Sequence, residues 1–229
     1  MPGAQMRTVL VDPHLHTDAS YDADMTPEEL LQTAQGVGLD AVVVTDHDTV
    51  YGAHVVSDLA PEYDLVAIVG CEVSTADGHL LALGVDSAPE PGRSLGVTAS
   101  AIREDGGVAV VLHPSQRSRH GARRSVISDV DGIELYNALT VLTVRNQQAA
   151  TFAEQHHYPA YGGSDAHRPT NIGRAVTEVQ IPAEASLTPS TILESMRAGR
   201  TAAAGRRTST WQYLTKFVGN ARYKTPSFI

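Results

Sequence analysis

His14 and His16 stand two residues apart behind the apolar run Val9–Val11. In an extended backbone alternate side chains leave on the same face, so both imidazoles can meet at one point. The pattern then recurs along the chain. Asp46, His47 and Asp48 follow Ala41–Thr45, Glu72 follows Leu65–Gly70, His113 follows Val108–Leu112, and Asp165 and His167 follow Tyr158–Gly163. Neutral imidazoles mixed with carboxylates suit zinc, manganese or iron, and argue against calcium or magnesium alone. One His-x-His is a weak signal. Five of the ten histidines lying just past apolar runs, with His79 opening another, is a strong one, because independent surface histidines would not track strand ends.

The runs that carry these groups read as short buried strands, and most are separated by helical stretches. Thr26-Pro-Glu-Glu29 is a helix start, with Thr26 as N-cap, Pro27 at the first helical position and Glu29 closing a capping box; Gly36 or Gly38 supplies the stop. Further helices are expected over about 50–59, 94–105, 139–157 and 188–199, with strands at 78–84 and 132–137 and an edge strand at 174–181. Alternating strands and helices imply parallel strands with right-handed crossovers. Their C-terminal ends then share one rim, where α/β barrels place catalytic groups. Asp18, Asp22 and Asp24, in the polar loop after His16, could each fold back to the histidine pair.

A length of 229 residues with 42% hydrophobic and 19% charged residues fits one soluble domain over 1–229, with core motifs at about 9–181 and a C-terminal helix and basic tail at 186–229. No apolar stretch is long enough for a bilayer, and the single Cys71 excludes an internal disulfide framework, so a cytoplasmic setting is expected. Cys71 reads as a small buried side chain. The net charge of -9 hides an asymmetry: from Ser195 onward there are seven Lys and Arg and no acid, which leaves 10 basic and 26 acidic residues before it. An acidic body disfavours extended nucleic-acid binding.

In this set of motifs the chain resembles the PHP (polymerase and histidinol phosphatase) family. The motifs are His14-Leu-His16, Thr45-Asp-His-Asp48, Gly70-Cys-Glu72, His113-Pro114 and Gly163-Ser-Asp-Ala-His-Arg168, in the family's order. The resemblance implies a distorted (β/α)7 TIM-like barrel with two or three divalent metals, Mn, Zn or Fe, at its C-terminal face, and phosphoesterase activity. By the same resemblance His14, His16, Glu72 and Asp165 serve one metal; Glu72, bridging, and His113 a second; Asp22, His47 and His167 a third. Asp46 is expected to orient a ligand. Two departures stand out. The usual Ser-Asp-Gly is here Ser20-Tyr-Asp-Ala23, one residue longer, which favours Asp22 over Asp18. The position of the family's histidine near the end of the fourth strand falls on Leu81, and His79, two residues earlier, either reaches the cluster from one rung deeper or lies off it.

The chemistry expected is attack of a metal-activated hydroxide on a small phosphomonoester, with a nucleotide or nucleoside bisphosphate as the preferred substrate. His167, Asp165 and His47 are the candidates for catalytic roles, with His167 placed for proton transfer. Arg168 and Arg117 are candidates for phosphate binding. The rival readings are amide or lactone hydrolysis on a similar barrel and a non-catalytic metal-binding accessory module. The absence of any Lys before Lys216 removes one amidohydrolase device, a carboxylated bridging lysine. Oligomeric state is left open.

Overall fold

The computed structural model describes residues 5–112, 114, 121–138 and 143–205. Nine strands carry the frame: β1 (Met6–Leu15), β2 (Ala41–Val44), β3 (Val66–Thr75), β4 (Gly78–Leu83), β5 (Val108–Val111), β6 (Gly132–Asn137), β7 (Ala160–Gly163), β8 (Ala175–Pro182) and β9 (Thr201–Gly205). Five α-helices accompany them: α1 (Pro27–Gly36), α2 (Tyr51–Leu59), α3 (Leu95–Glu104), α4 (Thr143–His156) and α5 (Pro189–Arg197). The strands form one sheet in the order β7-β6-β5-β4-β3-β2-β1-β8-β9, curled into a nearly closed, distorted TIM-like barrel. β2 and β5 are buried at every residue, as strands covered on both faces must be.

The expected parallel pairing gives way to antiparallel pairing at β4, and also where β8 meets β1 and β9. Only Ala76 and Asp77 separate Thr75 from Gly78, far too few for a crossover, so β3 and β4 form an antiparallel hairpin. β5 then pairs antiparallel with β4 and runs in the direction of β3. The β1–β2, β2–β3, β5–β6 and β6–β7 pairs are parallel. The C-terminal ends of these six strands therefore gather at one rim despite the reversal. A second correction concerns Glu72, which lies inside β3 opposite Leu81 and not past the strand's end.

The barrel closes where β7 leads back to β1. His16 N donates to Ala166 O at 3.0 Å, Ala166 N donates to His14 O at 3.3 Å, and Thr177 on β8 both donates to Gly162 O and accepts from Gly162 N. Asp12 is fully buried at this seam and accepts from Ser164 N and Gly173 N, each at 3.0 Å. Gly163 has no alternative here: a Cβ on it would stand 2.7 Å from His14 Cβ and 2.8 Å from Glu134 Oε1.

The lower barrel is apolar. Val9, Val11, Val43, Ile68, Leu81, Leu83, Val108 and Val110 pack together inside, and α5 inserts Ile192 and Met196 among them. Outside, α1 and α2 cover one side of the sheet and α3 and α4 another. The capping box of α1 is complete, since Glu29 N donates to Thr26 Oγ1 and Thr26 N donates to the Glu29 carboxylate. At its other end Gly38, at φ +79°, makes the left-handed exit: Gly38 N bonds Gln35 O and Leu39 N bonds Ala34 O.

Candidate metal centre

Two irregularities aim the site. Along β1, Val9 and Val11 face the barrel interior while Leu10 and Leu15 pack outside. Simple alternation would then turn His14 and His16 outward. The register shift between Asp12 and Leu15 reverses the parity, and both imidazoles point in. β6 repeats the device: its register shifts between Glu134 and Tyr136, so Glu134 and Asn137, three residues apart, both reach the interior and bond one another at 3.0 Å. On the β3–β4 hairpin Glu72 and His79 are diagonal neighbours on one face and meet directly.

The result is a buried knot of five imidazoles around three carboxylates. Glu72 Oε2 lies 2.9 Å from His14 Nε2, 3.3 Å from His16 Nε2 and 3.9 Å from His47 Nδ1, while its other oxygen is 2.5 Å from His79 Nδ1. Asp165 Oδ1 lies 3.5 Å from His16 Nε2 and 3.7 Å from His14 Nε2. Asp22 Oδ2 is 2.9 Å from His167 Nε2 and 3.6 Å from His47 Nε2. Among the described residues three sets of donor atoms each fall within 4.8 Å: His14, His16 and Asp165; His16, Asp22, His47 and His167; and His47, Glu72 and His79.

Neighbouring acceptors orient the rings. His167 Nδ1 lies 2.8 Å from the Asp165 carbonyl, which can only accept, so Nδ1 carries a proton and Nε2 is the atom turned toward Asp22. His14 Nδ1 lies 2.9 Å from Glu134 Oε1, which likewise leaves Nε2 turned toward Glu72 and Asp165. Asn137 donates to Glu134 Oε2 and to Asp165 Oδ2, tying the two carboxylates together. Asp165 itself sits at φ +53°, a conformation Asp tolerates better than most residues, and this bend presents Asp165 and His167 to the same cavity.

These groups suit cations on two independent grounds. Nε2 of His16 and Nδ1 of His47 are buried near carboxylates, yet neither has a hydrogen bond of acceptable geometry. The charges also need a counterweight. Burial pulls His16 down, but the Asp165 and Glu72 carboxylates beside its Nε2 outweigh it and hold the imidazole at about 9; His14 is raised in the same way, against its burial, by Asp165 and Glu134. Burial pushes Glu72 up, yet His47 and His14 keep it well below the ordinary carboxylate range, and His167 and His47 do the same for Asp22. Divalent ions would satisfy the same carboxylates with neutral imidazoles.

Asp46 turns from the donor sets and accepts from Thr17 N at 2.6 Å and Thr17 Oγ1 at 2.7 Å. Asp18 is exposed, whereas Asp22 is drawn into the cluster. His79 reaches Glu72 and falls in a donor set with it and His47. Arg168 is exposed immediately beside His167. His113 and Arg117 lie outside the described residues. Sequence reasoning missed Asp12, Glu134, Asn137 and Tyr21. Glu134 carried the best signal, an acid within the apolar strand Gly132–Asn137. Cys71 is buried, and burial pushes its thiol up and out of nucleophilic range. Among the described residues no helix is long and apolar enough to cross a membrane.

The sequence profile of the PHP domain matches residues 12–161, and a profile described as PHP-associated matches 144–201. An uncharacterized protein of Methanocaldococcus jannaschii is 30% identical over 138 residues, covering 56% of this chain and 81% of that one. The error-prone DNA polymerase of Mycobacterium tuberculosis is 42% identical over 62 residues, which are 27% of this chain but 6% of the polymerase. In structure, a two-domain Bacteroides vulgatus protein described as containing a predicted PHP-like metal-dependent phosphoesterase superposes with a TM-score of 0.74 at 20% identity, over 95% of this chain and 71% of that one. Endonuclease Q bound to a 27-mer duplex superposes with a TM-score of 0.60 at 16% identity, over 88% of this chain and 60% of that one.

Proposed function

Because the chain belongs to the PHP domain family, whose members are metal-dependent hydrolases, we propose that it is a phosphoesterase acting on a small phosphomonoester, with a nucleotide or nucleoside bisphosphate as the preferred substrate. The observation that carries this reading is Glu72. One of its oxygens faces His14, His16 and His47 and the other faces His79, the posture of a carboxylate shared between two ions.

In this reading His14, His16, Asp22, His47, Glu72, His79, Asp165 and His167 would hold two or three ions of Mn, Zn or Fe, with His113 added from outside the described residues. The chemistry supplied when such ions are bound is polarisation of a phosphoryl oxygen and acidification of the attacking water. Glu134 keeps His14 in the tautomer that presents Nε2. Asp46 holds the Thr17 turn between the histidine pair and Asp22. His167, its Nδ1–H held on Asp165 O, would offer Nε2 to an ion on the side of Asp22. Arg168, exposed beside His167, is the phosphate clamp, and Arg117 is the second candidate for that role.

The test is a metal-content measurement joined to a phosphate-release screen over nucleotides, sugar phosphates and oligonucleotides. Release from a small phosphoester that stops on chelation and returns with Mn, Zn or Fe is the expected result. Turnover unchanged after complete metal removal rejects the mechanism. Cleavage confined to oligonucleotides replaces the small substrate with a polymer, the activity named for endonuclease Q.

A further inference from the structure

Tyr21 is the extra residue of the loop Ser20-Tyr-Asp-Ala23, and it stands at the mouth of the metal centre. Its ring stacks on His47, with centroids 4.7 Å apart and planes 21° from parallel. It is nonetheless 56% exposed, one of the few large apolar side chains left open among the described residues. One ring face is taken by His47, so the exposure belongs to the opposite face and the edge. His47 in turn lies within reach of Asp22 and Glu72, and each belongs to one of its donor sets. A planar group laid on the free face of Tyr21 would therefore sit two ring layers from the donor atoms, at ordinary contact spacing of roughly 3.5–4 Å per layer.

We infer that Tyr21 is a substrate-binding residue that selects phosphoesters carrying a planar group, such as a nucleobase, by stacking it while the phosphate engages the metal centre. This rests on the phosphoesterase reading above. The Tyr21 ring offers a platform for one base; a strand-binding groove stacks successive bases on several aromatics. The phenol need not ionise for this role. Burial, reinforced by Asp22 and Glu72, pushes its hydroxyl up to about 12 and keeps the ring neutral at ordinary pH.

The experiment compares Tyr21→Phe, Tyr21→Trp and Tyr21→Leu with the unmodified protein, each with its bound metal quantified. Adenosine 5′-monophosphate and glycerol 3-phosphate serve as substrates, and adenosine 5′-monophosphate binding to the metal-loaded protein is measured separately. Loss of one base stack corresponds to roughly a 5- to 150-fold effect. Tyr21→Leu should raise KM and Kd for the nucleotide by that factor and leave glycerol 3-phosphate unchanged, while Phe and Trp preserve the preference. Equal effects on both substrates, nucleotide binding that ignores the Leu change or is absent, or loss of metal in Tyr21→Leu would each overturn the inference. Failure of every phosphoester to turn over sinks the enzymatic reading instead, and the binding measurement still decides the role of Tyr21.

Discussion

The two ends of this barrel are built by opposite rules. The lower end is filled with Val, Leu and Ile from the strands and plugged by Ile192 and Met196 of α5. The upper end places His14, His16, Glu72, Asp165 and Glu134 at almost complete burial, with hydrogen bonds among themselves and two ring nitrogens left unpartnered. Apolar packing needs volume and shape, and tolerates exchanges of similar size. Buried charge needs its partner, and removing one member strands the others. The lower end should therefore govern folding, and the upper end metal content and turnover, with little exchange between them.

The sharpest way to break that division is Glu72→Ala. Two donor sets lie against this one side chain, so metal should be lost and kcat/KM should fall by about 10³-fold or more, the scale of several kcal/mol of charge stabilisation. Circular dichroism at the same time should show an intact fold. If activity persists with full metal content, Glu72 is not shared between ions. The reciprocal variant, Ile192→Ala in the plug, should cost about 2–5 kcal/mol of unfolding free energy in denaturant titrations. Its kcat per folded molecule should hold, and a selective loss of turnover without loss of stability would refute the division.

A finer probe is Glu134→Gln, which belongs to no donor set but holds the back of His14. Metal affinity or activity should fall about 10- to 100-fold, the range for groups that orient a ligand. The smallest effect expected is in pH. His16 is held at about 9 against an ordinary 6.5, so its protonation stabilises the metal-stripped fold most fully below 6.5, and that contribution fades as pH rises through about 9. His14 is raised in the same direction. Metal binding requires both rings unprotonated and so strengthens over the same window. The Tm of stripped protein should fall between pH 6.5 and 9 while the stabilisation gained from added metal grows. Parallel curves for the two forms would contradict the assignment of His14 and His16.

Much of this was legible in the chain itself. The capping box at Thr26 and Glu29, the Gly38 exit and the buried runs 41–44 and 108–111 are local signals, and local hydrogen bonding realises them. The gathering of His14, His16, His47, Asp165 and His167 at one rim followed from strand order alone. What escaped was set by pairing between distant segments. Glu72 was placed beyond its strand because Val73, Ser74 and Thr75 extend only by pairing with β4. Glu134 and Asn137 fell on opposite faces under simple alternation, and only the register shift in β6 turns both inward. The same shift in β1 aims His14 and His16, so the two-residue spacing was right for the pair while simple alternation from Val9 would have turned it outward.

The most direct test of the central claim is anomalous diffraction from crystals grown with Mn, Zn and Fe in turn, recorded at each metal's absorption edge. The account predicts two or three peaks at coordination distance, about 2.0–2.3 Å, from His14, His16, Asp22, His47, Glu72, Asp165 and His167, with one carboxylate of Glu72 between two of them. No peak among these side chains with any of the three metals, in crystals of protein that hydrolyses phosphoesters, would contradict it.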